Sequence, residues 1–451
     1  MTHDLVVRGG RVLGAHGEAT CDVAVDDGRI AALGSGLHGR RELDAGGLYV
    51  LPGAIDGHVH MRTERPRWVY DDTFASGSVA AAFGGVTTFI DQAQVEPGIP
   101  LVAGLEARMD EAAGECVVDY GIHVNLREAS RERIAEIPEL VARGCPTLKL
   151  FMAYEEFRLP DPLILAAMQE LARAGGTAIV HAENQDLIDE LERGIAAGGR
   201  SDRRSQALAH HPALEGEAVY RALAMALIAG VPLLVFHLTA AEAVRELEAA
   251  RARGQAVYGE VCLPYLLLDE DAYDVPVSGP ALPTGPPLRD AEHVGVLWDA
   301  LARGAIDIVS TDHGPRRTQR DDDGGVSIPP GTSGVEVRLA LMHSAGVAAG
   351  RLTPERWVDA CCTRPAEVFG LTRKGRLEPG YDADIVLFDP ARRVTLAAAG
   401  LHSAVDHSTY EGWEVTGAPV ATVVRGEVVV ADGELQVEPG HGRFVAREAR
   451  R

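Results

Sequence analysis

Eight short apolar runs recur through the middle of the chain, and almost every one carries a His, Asp, Glu, Asn or Tyr at or near its end. They are Ala54–His60, Thr87–Ala93, Tyr120–Leu126, Thr147–Tyr154, Thr177–Glu183, Pro232–Thr239, Ala256–Leu263 and Ile306–His313. Runs this short and this apolar predict strands of a parallel sheet covered on both faces. Alanine- and leucine-rich stretches with helical spacing separate them, among them Leu101–Glu115, Pro162–Ala174, Leu214–Ala229, Ala240–Arg253 and Arg289–Arg303. Eight strand–helix units predict a (β/α)8 TIM-like barrel rather than an open sheet. In that architecture chemistry collects at the C-terminal ends of the strands, where the polar residues of these runs lie.

The two ends of the chain have a different texture. Short strand-like pieces such as Asp4-Leu-Val-Val-Arg, Cys21-Asp-Val-Ala-Val and Arg29-Ile-Ala-Ala-Leu open it, and Ala383-Asp-Ile-Val-Leu-Phe-Asp, Ala421-Thr-Val-Val-Arg and Glu427-Val-Val-Val close it. Asp26-Asp27-Gly28, Arg425-Gly426-Glu427 and Asp432-Gly433-Glu434 are hairpin signals. One short meander cannot bury both of its faces, so the two ends are expected to pair. The expected division is a barrel over residues 53–371 and a smaller composite β-sandwich from 1–52 and 372–451. Asp321-Asp-Asp-Gly-Gly is expected to be a loop.

Charge narrows the partners. Of 451 residues, 43 are Lys or Arg and 66 Asp or Glu, a net charge of −23 with histidine neutral. Such a surface repels phosphate backbones and anionic lipid, which argues against nucleic acid and membranes. No apolar run approaches the ~20 residues of a membrane span, and the start, Met1-Thr-His-Asp-Leu-Val-Val-Arg, shows no charged-then-apolar leader. The six cysteines (Cys21, Cys116, Cys145, Cys262, Cys361, Cys362) form no CxxC pair, as expected of reduced thiols in a cytoplasmic enzyme.

Asp56-Gly57-His58-Val59-His60 ends the first barrel strand. Residues two apart on a strand share a face, so His58 and His60 can both point into the barrel mouth. Val180-His181-Ala-Glu-Asn, Phe236-His237-Leu-Thr and Ser310-Thr311-Asp312-His313 add a His or Asp at the ends of strands five, six and eight. Imidazole and carboxylate ligands suit Zn, Mn, Fe, Ni or Co. Lys149, inside Thr147-Leu-Lys-Leu-Phe-Met-Ala-Tyr, is out of place in so apolar a strand. Either its amine snorkels to solvent from the strand end, or it has been converted to an anion, as carbamylation by CO2 would do. A carbamate could bridge two metal ions ~3.5–4 Å apart.

Taken together, these motifs resemble the amidohydrolase superfamily, in its cyclic amidase branch, and above all the D-hydantoinases and dihydropyrimidinases. The matching pieces run nearly from end to end: Leu51-Pro-Gly-Ala-Ile-Asp-Gly-His-Val-His, Ala81-Ala-Phe-Gly-Gly-Val-Thr-Thr, Lys149-Leu-Phe-Met-Ala-Tyr, His181-Ala-Glu-Asn, Gly259-Glu-Val-Cys-Leu-Pro-Tyr, Gly285-Pro-Pro-Leu-Arg, Ser310-Thr-Asp-His-Gly-Pro, Lys374-Gly-Arg-Leu-Glu-Pro-Gly-Tyr-Asp-Ala-Asp and Tyr410-Glu-Gly-Trp-Glu-Val-Thr-Gly. The resemblance implies a hydrolase that opens a cyclic amide, a hydantoin or dihydropyrimidine ring, by attack of a hydroxide shared between two metals. Zinc is the expected ion, with Mn, Fe, Co or Ni as alternatives. His58, His60, carbamylated Lys149 and Asp312 would bind one metal, and Lys149 would bridge to a second held by His181 and His237. Asp312 would carry the proton from nucleophile to leaving nitrogen, and Tyr154 would donate to the developing oxyanion. A homotetramer or homodimer is also implied.

Main-chain groups around Gly285 and in Pro330-Gly-Thr-Ser333-Gly334-Val-Glu336 are expected to orient the ring. Gly285 replaces the family's serine there, and Pro330 its asparagine; Pro330 has no N–H to donate. Arg62 has two readings: a solvated arginine in a charged loop with Glu64, Arg65 and Arg67, or the end of an HxHxR like that of dihydroorotases, whose arginine grips a substrate carboxylate. The second supports an anionic substrate, dihydroorotase-like or a carboxyalkyl hydantoin; allantoin is a separate third choice. Against a dihydroorotase stand Tyr154, the Gly285-Pro-Pro form, the hydantoinase-like tail and Asp91-Gln-Ala-Gln, which replaces an asparagine-bearing segment. Loops Arg62–Asp72 and Glu155–Asp161 are expected to shape the pocket, with Trp68, Tyr70, Phe151 and Phe157 as walls. Metal-less members of the family serve as cytoskeletal adaptors, but they have lost ligands that this chain keeps.

Overall fold

The computed structural model describes residues 2–65, 68–128, 130–200, 202–274, 282–283, 285–320, 326–327 and 330–449. The expected loop at Asp321–Gly325 lies outside them. Eight parallel strands run in chain order: β1 (Ala54–Val59), β2 (Val86–Gln94), β3 (Asp119–Asn125), β4 (Thr147–Phe151), β5 (Thr177–His181), β6 (Leu233–Val235), β7 (Val257–Cys262) and β8 (Ile308–Ser310). Each pairs with its sequence neighbours. A bridge from Val59 to His313 joins the first strand to the segment after the last. That seam closes the eight strands into a barrel, so their residues are buried on both faces.

The outer helices bury one stripe each. In Asp161–Ala174 the buried positions are Ile164, Ala167, Met168 and Leu171, a 3–4 spacing that faces the sheet, and Gly175 ends the helix in the left-handed conformation at φ 76°. Helices that the periodicity did not single out also flank the barrel. Phe74–Phe83 is small-residue-rich and is started by a capping box between Thr73 and Ser76.

The chain ends meet in one nine-stranded sheet. Tyr49–Pro52 pairs antiparallel with Ile385–Thr395, joining the N-terminal strands to the C-terminal ones. The three expected hairpin turns are present, with Asp27-Gly28, Arg425-Gly426 and Asp432-Gly433 all at positive φ, as type I′ turns require. Sheet and barrel are tied by buried Lys374, whose Nζ lies 2.7 Å from both Asp119 at the start of β3 and Asp384, and 3.3 Å from Asp382. Burial alone would depress this amine, but the three carboxylates outweigh it and hold the ammonium charged.

Candidate metal centre and substrate cavity

The seam of the barrel brings the first ligands together. His60 N–H donates to His313 O at 2.6 Å, which sets the end of β1 against the loop after β8. Asp312 Oδ1 then lies 3.2 Å from His58 Nε2 and 3.0 Å from His60 Nε2. These three side chains place their ligand atoms within 4.8 Å of one another. Burial would raise the Asp312 carboxyl, but His58 and His60 outweigh it and hold it well below the usual range. Burial depresses His60, His181 and His237, which favours the neutral imidazole that binds metal.

On the other side of the mouth, His181 Nδ1 and His237 Nε2 face each other at 2.9 Å. Between the two groups stands Lys149, 2% exposed, so the snorkelling reading is excluded. Its Nζ has no hydrogen bond or ion pair among the described residues; it lies 4.0 Å from the centre of the Phe236 ring. Burial drives its pKa down to about 7. The four imidazoles, one carboxylate and this amine make a donor set that fits two divalent ions once Lys149 is an anion. His60 Nδ1 is a buried polar atom left over, without a hydrogen-bond partner.

Several supporting residues escaped the sequence reading. Glu260 lies 3.2 Å from His58 Nδ1, and Glu183 lies 2.9 Å from His181 Nε2 and 2.7 Å from His210 Nδ1. Each carboxylate fixes a ring so that its other nitrogen faces the centre. Thr311 Oγ1 donates to Asp56 across the seam at 2.8 Å. A second cluster, His58, Glu260 and Cys262, is also compact enough for an ion. There, however, Glu260 is already engaged by His58, and burial keeps the Cys262 thiol protonated.

Backbone conformation marks the same place. Among the described residues six non-glycines have positive φ, and three of them are Asp27, Arg425 and Asp432 in hairpin turns. The others are Tyr154 (65°), His237 (40°) and Asp312 (50°), all at this centre. A side chain held in the left-handed region is unfavourable by roughly 1–3 kcal/mol and persists where its surroundings fix it.

Above the six residues opens a cavity of about 280 Å³. Tyr70, Phe151 and Phe157 line it as expected, whereas the side chain of Trp68 lies outside the described set. Tyr154 is half-buried in its wall, its phenol raised well above the ordinary range by desolvation, with its hydroxyl in the notch left by Gly285, where a Cβ would collide with it. Three expectations need correction. Arg62 does not reach the cavity: β1 ends at Val59, the alternation lapses, and the half-exposed guanidinium turns to Glu64 at the edge of a neighbouring cleft. Ser333 and Gly334 are buried behind the wall, which Pro330, Gly331 and Thr332 form instead. The unexpected wall residues are Gln92 and Gln94 of β2.

Comparison with known proteins agrees with this geometry. Residues 49–429 match the amidohydrolase family. The chain is 40% identical to a D-hydantoinase of Streptomyces coelicolor, covering 99% of this chain and 98% of that one, and 37% identical to a D-hydantoinase of Geobacillus stearothermophilus, covering 98% and 96%. The crystal structure of a dihydropyrimidinase from Brevibacillus agri superposes with a TM-score of 0.93 at 33% identity, over 99% of both chains.

Proposed function

The chain belongs to the amidohydrolase family, and from that we propose that it is a cyclic amidase opening a hydantoin- or dihydropyrimidine-type ring at an amide bond. The carrying observation is the convergence of four imidazoles, Asp312 and an unpaired Lys149 beneath one cavity. His58, His60 and Asp312 would hold one ion and His181 and His237 the other, with carbamylated Lys149 shared between them. Divalent ions, zinc first among them, would supply Lewis acidity at this place when bound.

The chain's own groups do the rest. Asp312, held ionised by its histidines, accepts the proton of the attacking water and returns it to the ring nitrogen as the C–N bond breaks. Tyr154, kept protonated by burial, donates its O–H to the oxygen on which negative charge grows. The main chain at Gly285 and Pro330–Thr332 borders the ring, and Phe151 and Phe157 exclude water from one side. Lys149 becomes an anion when its neutral amine attacks CO2, forming an N–C bond and releasing one proton. Arg62 points elsewhere, so the neutral-ring reading is preferred over the dihydroorotase-like one.

Exposed Leu187, Leu191, Leu208, Tyr220, Leu227 and Ile228 on neighbouring helices support a homotetramer or homodimer. Six unpaired cysteines support a cytoplasmic setting, and no helix among the described residues is long and apolar enough to cross a membrane. The test is turnover of hydantoin, 5-phenylhydantoin, dihydrouracil, dihydroorotate, carboxymethylhydantoin and allantoin by protein loaded with Zn or Mn in bicarbonate. Opening of neutral rings is expected. Protein holding two metals per chain that opens none of them would overturn the reading.

A further inference from the structure

We propose that Gln92 sets the substrate class, selecting rings that carry an amide-like substituent, a carboxamide or ureido group, over rings with alkyl or aryl ones. This rests on the cyclic-amidase reading. Gln92 is 1% exposed and lines the metal-centre cavity, yet neither its Oε1 nor its Nε2 has a hydrogen-bond partner. Asn125, fully buried on the adjacent strand between Gln94 and Lys149 in the sheet register, is likewise without a partner at both amide atoms. Gln92 and Gln94 also line the next cleft, so the partition between the two spaces is made of amides.

A buried amide left unpaired is unfavourable by about 1–3 kcal/mol per group, and folded proteins pair nearly all of them. An exception in a cavity wall points to a partner that arrives with the ligand. The cavity already offers apolar surface in Phe151, Phe157 and Tyr70, so a polar wall adds selectivity rather than room. A primary amide presents one acceptor and two donors side by side. A carboxamide or ureido group meets both, whereas an alkyl or aryl group meets neither. A carboxylate meets only the donors, and the charges bordering the cavity are mixed, Glu156 and Asp312 against Arg316 on the Tyr70 ring.

The experiment compares kcat/KM for 5-(carboxamidomethyl)hydantoin, allantoin (the 5-ureido ring) and 5-isobutylhydantoin in wild-type, Gln92→Leu and Gln92→Met proteins, with metal content measured on each. The isobutyl ring matches the carboxamidomethyl ring in shape and lacks its hydrogen bonds. The wild type should prefer the amide-bearing rings by about 30-fold or more, within what a hydrogen-bonding site can discriminate. Both variants should keep two metals and lose at least about tenfold of that preference. Equal losses on all three rings would make Gln92 a group for the ring itself, and a wild-type preference for isobutyl would reverse the selectivity; either overturns the proposal. Two-metal wild-type protein that opens none of the three, nor plain hydantoin, would overturn the cyclic-amidase reading along with it. If hydantoin alone is opened, only the substituent proposal falls.

Discussion

Two lysines in this molecule are almost equally buried, Lys149 2% and Lys374 3% exposed, and have opposite surroundings. Lys374, between barrel and terminal sheet, has Asp119, Asp382 and Asp384 around its ammonium and is held charged. Lys149, at the barrel mouth, faces the Phe236 ring, and burial takes its pKa to about 7. Glu260 and Asp312 act on it only from a distance and do not restore the charge. A buried cation with partners is a tie between layers. The same group without partners is a neutral nucleophile at physiological pH, ready for chemistry.

Exchanging the lysines' properties by mutation tests the contrast. The largest effect is expected from Lys149→Ala, which should lose both metals and reduce ring opening to background. Partial rescue by short carboxylic acids would follow from their taking the bridging place; a variant that keeps two metals and its activity would remove the carbamate from the account. Asp312→Asn should reduce kcat by about 10³-fold while at least one ion stays bound. Retention of a tenth of the rate would call for another proton carrier.

Stability should separate the two sites by sign. Lys374→Met leaves buried Asp384 without its cation, while Asp119 keeps Arg425 and Asp382 keeps Arg373, and should lower unfolding free energy by about 3–5 kcal/mol in denaturant melts, with metal content retained. In metal-free, uncarbamylated protein Lys149→Met should instead raise stability at pH 6, since the wild type there must bury an unpaired ammonium. The sign follows from linkage. A folded-state pKa lowered from 10.5 to about 7 means the unfolded chain binds more protons across that window, so the metal-free wild type gains stability as pH rises through it. A lower stability of Lys149→Met would contradict this. The smallest effect is kinetic: at constant dissolved CO2, reactivation of metal-free protein by CO2 and metal should speed up about tenfold from pH 6 to 8, as the neutral amine becomes the main form. A flat profile would place the controlling proton elsewhere.

How far the sequence reached is clearest from individual residues. All eight strands were legible as short apolar runs between helical stretches, and His58, His60, His181, His237 and Asp312 were legible as polar residues at or near their ends. Of the two readings of Arg62 the solvated one matches its contact with Glu64; the inward one extended the alternation past Val59, where β1 ends. Glu260 and Glu183 lay inside recognised motifs, but which imidazole each would orient depends on neighbouring strands. Gln92 was read as part of Asp91-Gln-Ala-Gln, a departure from the dihydroorotases, and Asn125 as part of an apolar run; their burial without partners shows in the structure alone.

The seam has a consequence for how the protein is made. Asp56 and Thr311, which meet there, are 255 residues apart in the chain, and His60 and Asp312 are brought together by the same closure. A ribosome therefore releases the first two histidines long before their carboxylate exists. The emerging chain can bury its early strands, yet it has no metal centre until the eighth strand has left the exit tunnel. On the proposed function, loading with CO2 and metal would belong to the finished barrel, which would spare the nascent chain from trapping ions on incomplete ligand sets. An arrest of synthesis ahead of residue 312 should yield a chain that folds in part and takes up no ion at this place.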